Sequence, residues 1–310
     1  MGIENYDWYL ANVQLLPYTW AEELTLAQRE LARATAALAL EEHRNRGLPQ
    51  HAPVASAEEH QGRFSEAVTE YMAFLAQRDV LSIQPDMGAA LRARVGQYTE
   101  TRPLEFFTEV DCRDPVLMRT HGYHWFDLAR MQRQPHPSPI RRGALLYNIF
   151  DSRTEGLATA MEELMMQAGL CDTRPRSREL VYILLAQRAA RAIGDLRMHA
   201  NQWSLEQAAR FASSNTPRGW LRLDGETVWF EQHLYLQQPG YGTSYVMGKL
   251  EVDQLIAASQ RALGGDFTLR RFMDDLDAAG MVPISLLRWE LTGDSDRVPG
   301  VGSAQPRNNR

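Results

Sequence analysis

Two histidines, His121 and His124, stand three residues apart in the segment T-H-G-Y-H-W-F-D. At about 100° per residue, a helix through this segment turns both imidazoles to the same side, in the middle of its apolar face. Burying two neutral imidazoles side by side costs free energy unless each ring nitrogen has a partner. A divalent metal ion is one such partner, and backbone carbonyls of a packed core are another. The spacing leaves both interpretations open.

The segment T-E-G-L-A-T-A-M-E-E-L-M-M-Q-A-G-L carries Glu155 and Glu162, which are seven residues apart and therefore lie on one side of a helix. The apolar stripe of this helix lies on the opposite side, a pattern typical of a solvated acidic face. Small residues surround the two carboxylates, however, and they would let another helix or a metal ion approach closely, with Glu155 as a ligand. Periodicity does not decide between the two interpretations.

Two later segments carry groups that can move protons. In D-L-R-M-H, Asp195 and His199 are four residues apart, so they form either a surface ion pair or a hydrogen bond that fixes the imidazole tautomer. In P-G-Y-G-T-S-Y-V-M-G-K, Tyr245 lies on an apolar helix face one turn before Lys249, the only lysine of the chain. A buried phenol is either a packed core residue with one hydrogen bond or a donor to an oxyanion or a proton relay.

The composition limits the kind of partner. The chain has 310 residues and a formal charge of −6, from 33 Lys and Arg against 39 Asp and Glu, and no basic block that would hold nucleic acid or an anionic membrane. No apolar run approaches the roughly 20 residues that span a bilayer, and the amino terminus lacks the pattern of a secretory signal. We expect a cytoplasmic protein with a small-molecule substrate, no nucleic-acid partner and no membrane contact.

Helices must position these residues. Apolar positions recur at helical spacing along nearly the whole chain, and the capping patterns of Ser56 with Glu59 and of Ser204 with Gln207 mark helix starts. Predicted helices cover roughly residues 20–45, 56–81, 86–98, 115–132, 152–170, 177–200, 204–214, 226–238, 243–263, 268–279 and 284–291. The predicted fold class is therefore all-α, mainly helical, with at most a short strand or two near residues 104–112, where aromatic and β-branched residues cluster.

Four segments, in the same order, resemble blocks of a bacterial family called domain of unknown function 885. T-E-G-L-A-T-A-M-E-E resembles the family's E-G-W-A-L-Y-x-E-E block, and D-L-R-M-H followed by W-S-L-E-Q-A resembles D-x-x-x-H followed by W-T-x-E-Q-A. P-G-Y-G-T-S-Y-V-M-G-K is similar to P-G-Q-A-x-S-Y-x-x-G-K, and the segment that begins G-G-D-F-T-L-R-R-F is similar to the family's closing stretch. The resemblance covers roughly residues 113–291.

The resemblance implies a helical fold related to zinc peptidases of the gluzincin type. In those enzymes two histidines on one helix and a downstream glutamate bind zinc, and a histidine and a tyrosine from later helices support the transition state. The resemblance implies that His121, His124 and Glu155 hold a divalent metal, with zinc expected first and iron or manganese left open. The remaining matched positions are Glu162, at the second acidic position of the helix, and His199 and Tyr245, as the supporting pair.

The first block departs from the family pattern. The family's H-E-x-x-P-G-H-H corresponds here to T-H-G-Y-H-W-F-D, which keeps two histidines but lacks the glutamate that activates the zinc-bound water in a gluzincin. Without that base, peptide hydrolysis should be badly impaired, although a metal can still be held. Asp127, one turn beyond His124, is a candidate replacement as a ligand or a base.

We therefore expect a metal-dependent enzyme of the lyase or cyclase type, which uses the metal as a Lewis acid for an elimination, a cyclisation or a rearrangement in specialised-metabolite biosynthesis. Tyr245, His199 or Lys249 would move protons or stabilise negative charge. One alternative is a zinc-dependent peptidase or amidohydrolase with Asp127 or Glu162 as the base. The other is a metal-free scaffold or binding protein on a decayed peptidase fold.

The same comparison predicts the domain organisation. We expect residues 1–112 to form a shortened helical amino-terminal cover and residues 113–292 to form the metal-binding helical core. Residues 293–310, which are rich in Gly, Pro, Ser, Asn and charge, are expected to be a disordered tail.

Overall fold

The computed structural model describes residues 1–142 and 150–301. Within these residues the regular structure is helical and contains no strand, which confirms the all-α prediction. The α-helices are α1 (Ile3–Tyr9), α2 (Trp20–Arg44), α3 (Ala57–Gln77), α4 (Met87–Arg92), α5 (Phe106–Arg113), α6 (Pro115–His121), α7 (Tyr123–Arg133), α8 (Asp151–Gln167), α9 (Pro175–His199), α10 (Leu205–Asn215), α11 (Glu226–Gln237), α12 (Tyr241–Leu263), α13 (Leu269–Ala279) and α14 (Ile284–Thr292). No helix among the described residues is long and apolar enough to cross a membrane.

The short strand expected near residues 104–112 is not formed, because most of this segment belongs to α5. Phe106 and Val110 are four residues apart and both are fully buried, so helical spacing brings them to the same core. The ring of Phe107 packs edge-on against Phe106 at a centroid distance of 5.1 Å. Aromatic and β-branched residues favour a strand on average, but here burial at helical spacing decides the conformation.

Helix α9 lies at the centre of the molecule. It packs against α2, α10 and α12, and nearly all its residues are buried. A helix that is buried on every side has no solvent-facing stripe, so its charged residues must find partners inside the protein. The arginines Arg188 and Arg191 of α9 do so, with the carboxylates of Glu162 and Glu231.

Helices α8 and α12 cross in backbone contact at two glycines, Gly156 and Gly248. A Cβ atom added to Gly156 would lie 2.3 Å from the Cα of Gly248, and one added to Gly248 would lie 2.1 Å from the carbonyl oxygen of Ser152. No side chain larger than hydrogen fits at either position without separating the helices. The crossing therefore fixes the distance between side chains of α8 and those of α12.

The predicted cover and core share one hydrophobic interior. Ala27 of α2 packs with Ala189 and Ile193 of α9. Further along α2, Ala34 packs with the α9 residues around Leu184. The division at residue 112 therefore does not coincide with a gap in the packing.

The first part of the expected disordered tail is packed against α14. Arg288 contacts the carboxylates of Asp294 and Asp296 at 2.6 and 2.9 Å. Ser295 and Val298 are buried. Residues 302–310, the rest of the expected tail, lie outside the described residues.

Candidate metal centre

The two histidines lie at a break between helices. The helix predicted over 115–132 is two helices, because α6 ends at His121, Gly122 caps it, and α7 begins at Tyr123. A Cβ atom at Gly122 would lie 2.6 Å from a methyl carbon of Leu91 and 2.9 Å from the carbonyl oxygen of Arg119. The backbone at Gly122 stays close to helical, with φ −63° and ψ 6°, so the two rings remain neighbours. The His121 and His124 rings are 5.1 Å apart and nearly perpendicular.

Glu155 of α8 joins the two histidines. Its Oε2 atom lies 3.1 Å from Nε2 of His124 and 3.7 Å from Nε2 of His121. One ligand atom from each of the three residues lies within 4.8 Å of the others. Four-coordinate ligands at about 2.1 Å from a metal are about 3.4 Å from one another, and the two distances to Glu155 fall on either side of that value. The three predicted ligands are thus brought together with a spacing that fits a divalent ion.

The second oxygen of Glu155 is held by Tyr241, the first residue of α12. The Tyr241 hydroxyl donates a hydrogen bond of 2.6 Å to Oε1. This bond leaves Oε2 directed towards the histidines and fixes the orientation of the carboxylate. Tyr241 is not among the residues predicted from the sequence, although it stands four residues before Tyr245, at the glutamine position of the family's P-G-Q.

Glu162 supports His121 from behind. Its side chain is fully buried and forms a bidentate ion pair with Arg188, at 2.6 and 2.8 Å. Oε1 of Glu162 also lies 3.1 Å from Nδ1 of His121, closer than the guanidinium of Arg188 at 3.3 Å. We therefore assign the Nδ1 proton of His121 to a hydrogen bond with Glu162, which leaves Nε2 as the free lone pair facing Glu155. The interpretation of this side of α8 as a solvated acidic face is wrong, since Glu155 is only 13% exposed and Glu162 is buried.

The electrostatics of the cluster favour the protonation states of metal ligands at Glu155 and His121, whereas at His124 a proton competes with a metal ion. Burial raises the pKa of Glu155, but the neighbouring His124, His121 and Tyr241 outweigh burial and bring the pKa down to about 2. Burial lowers the pKa of His121, against the opposing contact with Glu162. Burial also lowers the pKa of His124, but the charge of Glu155 outweighs it and leaves that pKa raised. Near neutral pH, Glu155 is ionised and His121 is neutral, as metal binding requires.

Tyr245 lies beside the cluster. Its ring is stacked near His121 at a centroid distance of 6.5 Å and is contacted by the guanidinium groups of Arg188 and Arg191 at 5.7 and 5.0 Å. Burial raises the pKa of Tyr245 well above its ordinary value, and the charge of Glu155 adds to this. The phenol is therefore a proton donor rather than a phenolate.

Two other predicted residues take part in different contacts. Both carboxylate oxygens of Asp127 accept from the buried guanidinium of Arg153, at 3.0 and 3.2 Å, so this carboxylate is neither a third ligand nor an open base. The Lys249 ammonium lies 2.9 Å from Glu163 and 2.9 Å from Asp253. Glu163 is eight residues beyond Glu155, about 12 Å along α8, and Lys249 is held there rather than at the histidines.

His199 also lies apart from the ligands. Its Nε2 atom is 2.9 Å from the carbonyl oxygen of Tyr235 and 3.3 Å from Asp195, and its ring packs near Tyr6. Both members of the Asp195–His199 pair are buried, so the interpretation as a surface ion pair is wrong. Since Arg188 is the α9 residue at the cluster, His199 lies eleven residues further, about 16 Å along the same helix. Its polar contacts are with Tyr235 and Asp195 rather than with the three ligands.

One carboxyl near the cluster has no counterpart in the sequence analysis. Asp151, at the start of α8, is buried and stands one turn before Glu155. Within the described part of the chain it forms no ion pair, and burial together with the charge of Glu155 raises its pKa to about 8. At neutral pH this carboxyl is mostly protonated and can give up a proton.

Taken together, the fold is an all-helical bundle in which a His/His/Glu cluster is held by a tyrosine and by a buried carboxylate–arginine pair. Residues 123–291 match the family described as bacterial protein of unknown function (DUF885), which is more than half of the chain. The chain belongs to this family. The match includes His124 and Glu155, whereas His121 lies two residues before it. No curated protein matches the sequence significantly.

Two solved structures have a similar fold. A protein of Colwellia psychrerythraea, described as a candidate lipoprotein, superposes with a TM-score of 0.71 at 19% identity and is covered over 56% of its length by 94% of this chain. A candidate lipoprotein of unknown function from Shewanella oneidensis superposes with a TM-score of 0.71 at 16% identity, over 59% of its length and 93% of this chain. The chain thus spans less than two thirds of either protein, and at these identities the likeness concerns the fold.

Proposed function

We propose that this protein is a metal-dependent enzyme, with His121, His124 and Glu155 as the ligands of a divalent ion, zinc before iron or manganese. The proposal extends to a small-molecule substrate and a non-hydrolytic step, an elimination, a cyclisation or a rearrangement. The observation that carries it is the convergence of three ligand atoms within 4.8 Å, from residues on three different helices. Unpaired surface acids do not explain this convergence, because Tyr241 orients Glu155 and the buried Glu162 orients His121.

The residues around the ligands support metal binding rather than a closed hydrogen-bond network. Tyr241 occupies one oxygen of Glu155 and leaves the other towards the histidines. Glu162 occupies Nδ1 of His121 and leaves Nε2 towards Glu155. Such outer contacts fix the tautomer and the orientation of metal ligands and raise affinity 10- to 100-fold. A bound divalent metal would supply Lewis-acid polarisation of a substrate oxygen.

The surrounding acids favour a step that needs a proton donor rather than an activated water. Gly122 follows His121, at the position where zinc peptidases of the gluzincin type carry their base. The carboxylates of Glu162 and Asp127 are each paired with a buried arginine. Asp151, with a pKa of about 8, and Tyr245 hold their protons at neutral pH and can donate them to a leaving group or to a developing oxyanion.

Hydrolysis is the second candidate, and Asp151 is the observation that favours it. Above pH 8 this carboxyl is ionised and can serve as a base near the cluster. The two candidates then differ in the role of one residue. Under hydrolysis, activity on amide or peptide substrates rises with pH through the pKa of Asp151 and is lost in Asp151→Asn.

The test begins with metal content. Protein purified without chelator is analysed by plasma mass spectrometry, for the unaltered chain and for His121→Ala, Glu155→Gln and the control His233→Ala, an exposed histidine on α11. We expect about one equivalent of metal in the unaltered protein and in the control, and a large loss in the other two variants. Metal that is absent throughout, or retained in His121→Ala and Glu155→Gln, would overturn the proposal and favour a metal-free scaffold. Peptide hydrolysis that depends on Asp151 would overturn the proposed non-hydrolytic step and favour the hydrolytic candidate.

A further inference from the structure

A cavity of about 220 Å³ borders the two histidines of the candidate metal centre. It lies where α4 and the residues after it face α6 and α7. Its apolar lining comes from Leu91, Met118 and the ring of Trp125. A volume of this size suits a molecule of roughly ten non-hydrogen atoms, smaller than the ligands of common drug-sized pockets. The cavity therefore selects for small ligands.

Two arginines give this cavity a positive wall. Arg119 is buried, and its Nη2 atom donates to both oxygens of Asp111 at 2.9 Å, while its Nη1 atom has no partner among the described residues. The guanidinium of Arg94 lies 4.2 Å above the ring of Trp125 and is exposed, without an ion pair within the described residues. Because Nη1 of Arg119 is buried, the exposed guanidinium of Arg94 is the donor that a ligand in the cavity can reach.

We propose that this cavity binds the carboxylate of a small, partly apolar substrate, with the guanidinium of Arg94 holding the carboxylate and the Arg119–Asp111 pair forming the wall beside it. The apolar part of the ligand packs against Leu91 and Met118. The inference rests on the proposed function for the reaction that follows, because the same cavity is lined by His121 and His124. It adds the substrate class, which the three metal ligands do not specify.

The charges favour a carboxylate over a phosphate. Asp111 neutralises one of the two guanidinium groups, and burial raises the pKa of Asp111 to about 6, against the opposing effect of Arg119. One net positive charge beside an apolar wall matches a monoanion better than a dianion. Arginine also binds planar carboxylates through two parallel hydrogen bonds, which suits the fork of Arg94.

The experiment uses benzoate, with the neutral isostere benzamide and inorganic phosphate as comparisons. Binding is measured by ligand-detected NMR titration of the full chain, once after removal of metal by chelator and once after loading with zinc. We expect benzoate to bind in both forms, more tightly than phosphate, and benzamide to bind at least tenfold more weakly. A tighter fit of phosphate, or equal binding of benzamide, would overturn the inference.

Arg94→Gln is the decisive variant, with Arg94→Lys as the conservative one. Arg92→Gln is the matched control, since Arg92 is two residues away and donates to Thr69 instead of lining the cavity. We expect Arg94→Gln to weaken benzoate at least tenfold, Arg94→Lys to recover part of the affinity, and Arg92→Gln to leave it unchanged. Unchanged benzoate binding in Arg94→Gln would show that Arg94 does not hold the carboxylate, and the inference would fall.

The two proposals fail separately. A chain that binds zinc through His121 but ignores benzoate retains the metal centre and loses the carboxylate site. A chain that binds benzoate through Arg94 but takes up no zinc retains the carboxylate site and loses the metal-dependent function.

Discussion

The glycine crossing of α8 and α12 predicts that Gly248→Ala damages the candidate metal centre although residue 248 does not touch it. A Cβ atom there would lie 2.1 Å from the Ser152 carbonyl oxygen and 2.6 Å from the Cα of Gly156. Since carbon and oxygen approach no closer than about 3.3 Å, the helices must separate by about 1 Å. The hydrogen bond from Tyr241 to Glu155 spans the same two helices at 2.6 Å, and a shift of this size breaks or greatly weakens it.

The expected magnitude follows from three contributions. Overpacking costs about 1–3 kcal/mol, the lost hydrogen bond about 1 kcal/mol, and replacing glycine in a helix returns about 1 kcal/mol. Because the obstacle is backbone, the upper part of the range applies, and we expect a net loss of about 2–3 kcal/mol of unfolding free energy. Zinc affinity should fall 10- to 100-fold, as it does when an outer contact of a metal ligand is removed.

Two measurements check this prediction. Urea unfolding of the metal-free protein gives the stability, and competition with a chromogenic chelator gives the zinc affinity. Gly62→Ala is the matched control, because Gly62 lies inside α3 and an added Cβ meets no atom within 4 Å. That variant should gain up to about 1 kcal/mol and keep its zinc affinity. A Gly248→Ala protein with unaltered stability and zinc affinity would refute the packing argument.

Three further substitutions test the surroundings of the site. Tyr241→Phe should lower zinc affinity about tenfold and the unfolding free energy by about 1 kcal/mol, and an equal affinity by chelator competition would remove Tyr241 from the site. Glu162→Gln leaves the guanidinium of Arg188 buried with a neutral partner, so stability should fall by about 3 kcal/mol in urea unfolding; full stability would contradict the ion pair. Burial raises the pKa of Glu23 to about 8 from an ordinary 4.5, with Asp7 adding to the shift, so the folded state holds a proton that the unfolded chain releases. This contribution to the unfolding free energy is fully present below pH 4.5 and is lost as pH rises towards 8. A plot of the unfolding free energy against pH should therefore be flatter across this window for Glu23→Gln than for the unaltered chain.

The histidine pair and Glu155 could be predicted from the sequence because they depend on local spacing and on matched blocks. His121 and His124 remain neighbours even though one continuous helix was the wrong assumption, and their rings lie 5.1 Å apart across the break at Gly122. A helical wheel gives the direction in which a side chain leaves the helix axis. It does not give the position along the neighbouring helix that the side chain meets.

This missing position along the neighbouring helix explains why some residues were predicted in the wrong place. Tyr245 and Lys249 are one turn apart on α12, yet Tyr245 lies beside His121 and Lys249 pairs with Glu163 further along α8. Arg188 was overlooked for a related reason. Because α9 is buried on all sides, it has no amphipathic stripe to mark which of its charged residues faces the site, and only the packing of α8 assigns Glu162 as its partner.

The tight contact between Gly122 and Leu91 makes these two positions epistatic. A glutamate introduced at position 122 alone meets the buried Leu91 at its Cβ atom, and a smaller residue at position 91 alone leaves a void beside the histidines. Each single change is unfavourable, and the pair removes the contact with Leu91 while the contact of the Cβ atom with the carbonyl oxygen of Arg119, at 2.9 Å, remains. Laboratory evolution towards a carboxylate base next to His121 would therefore stall on libraries that vary one position at a time and would need both codons randomised together.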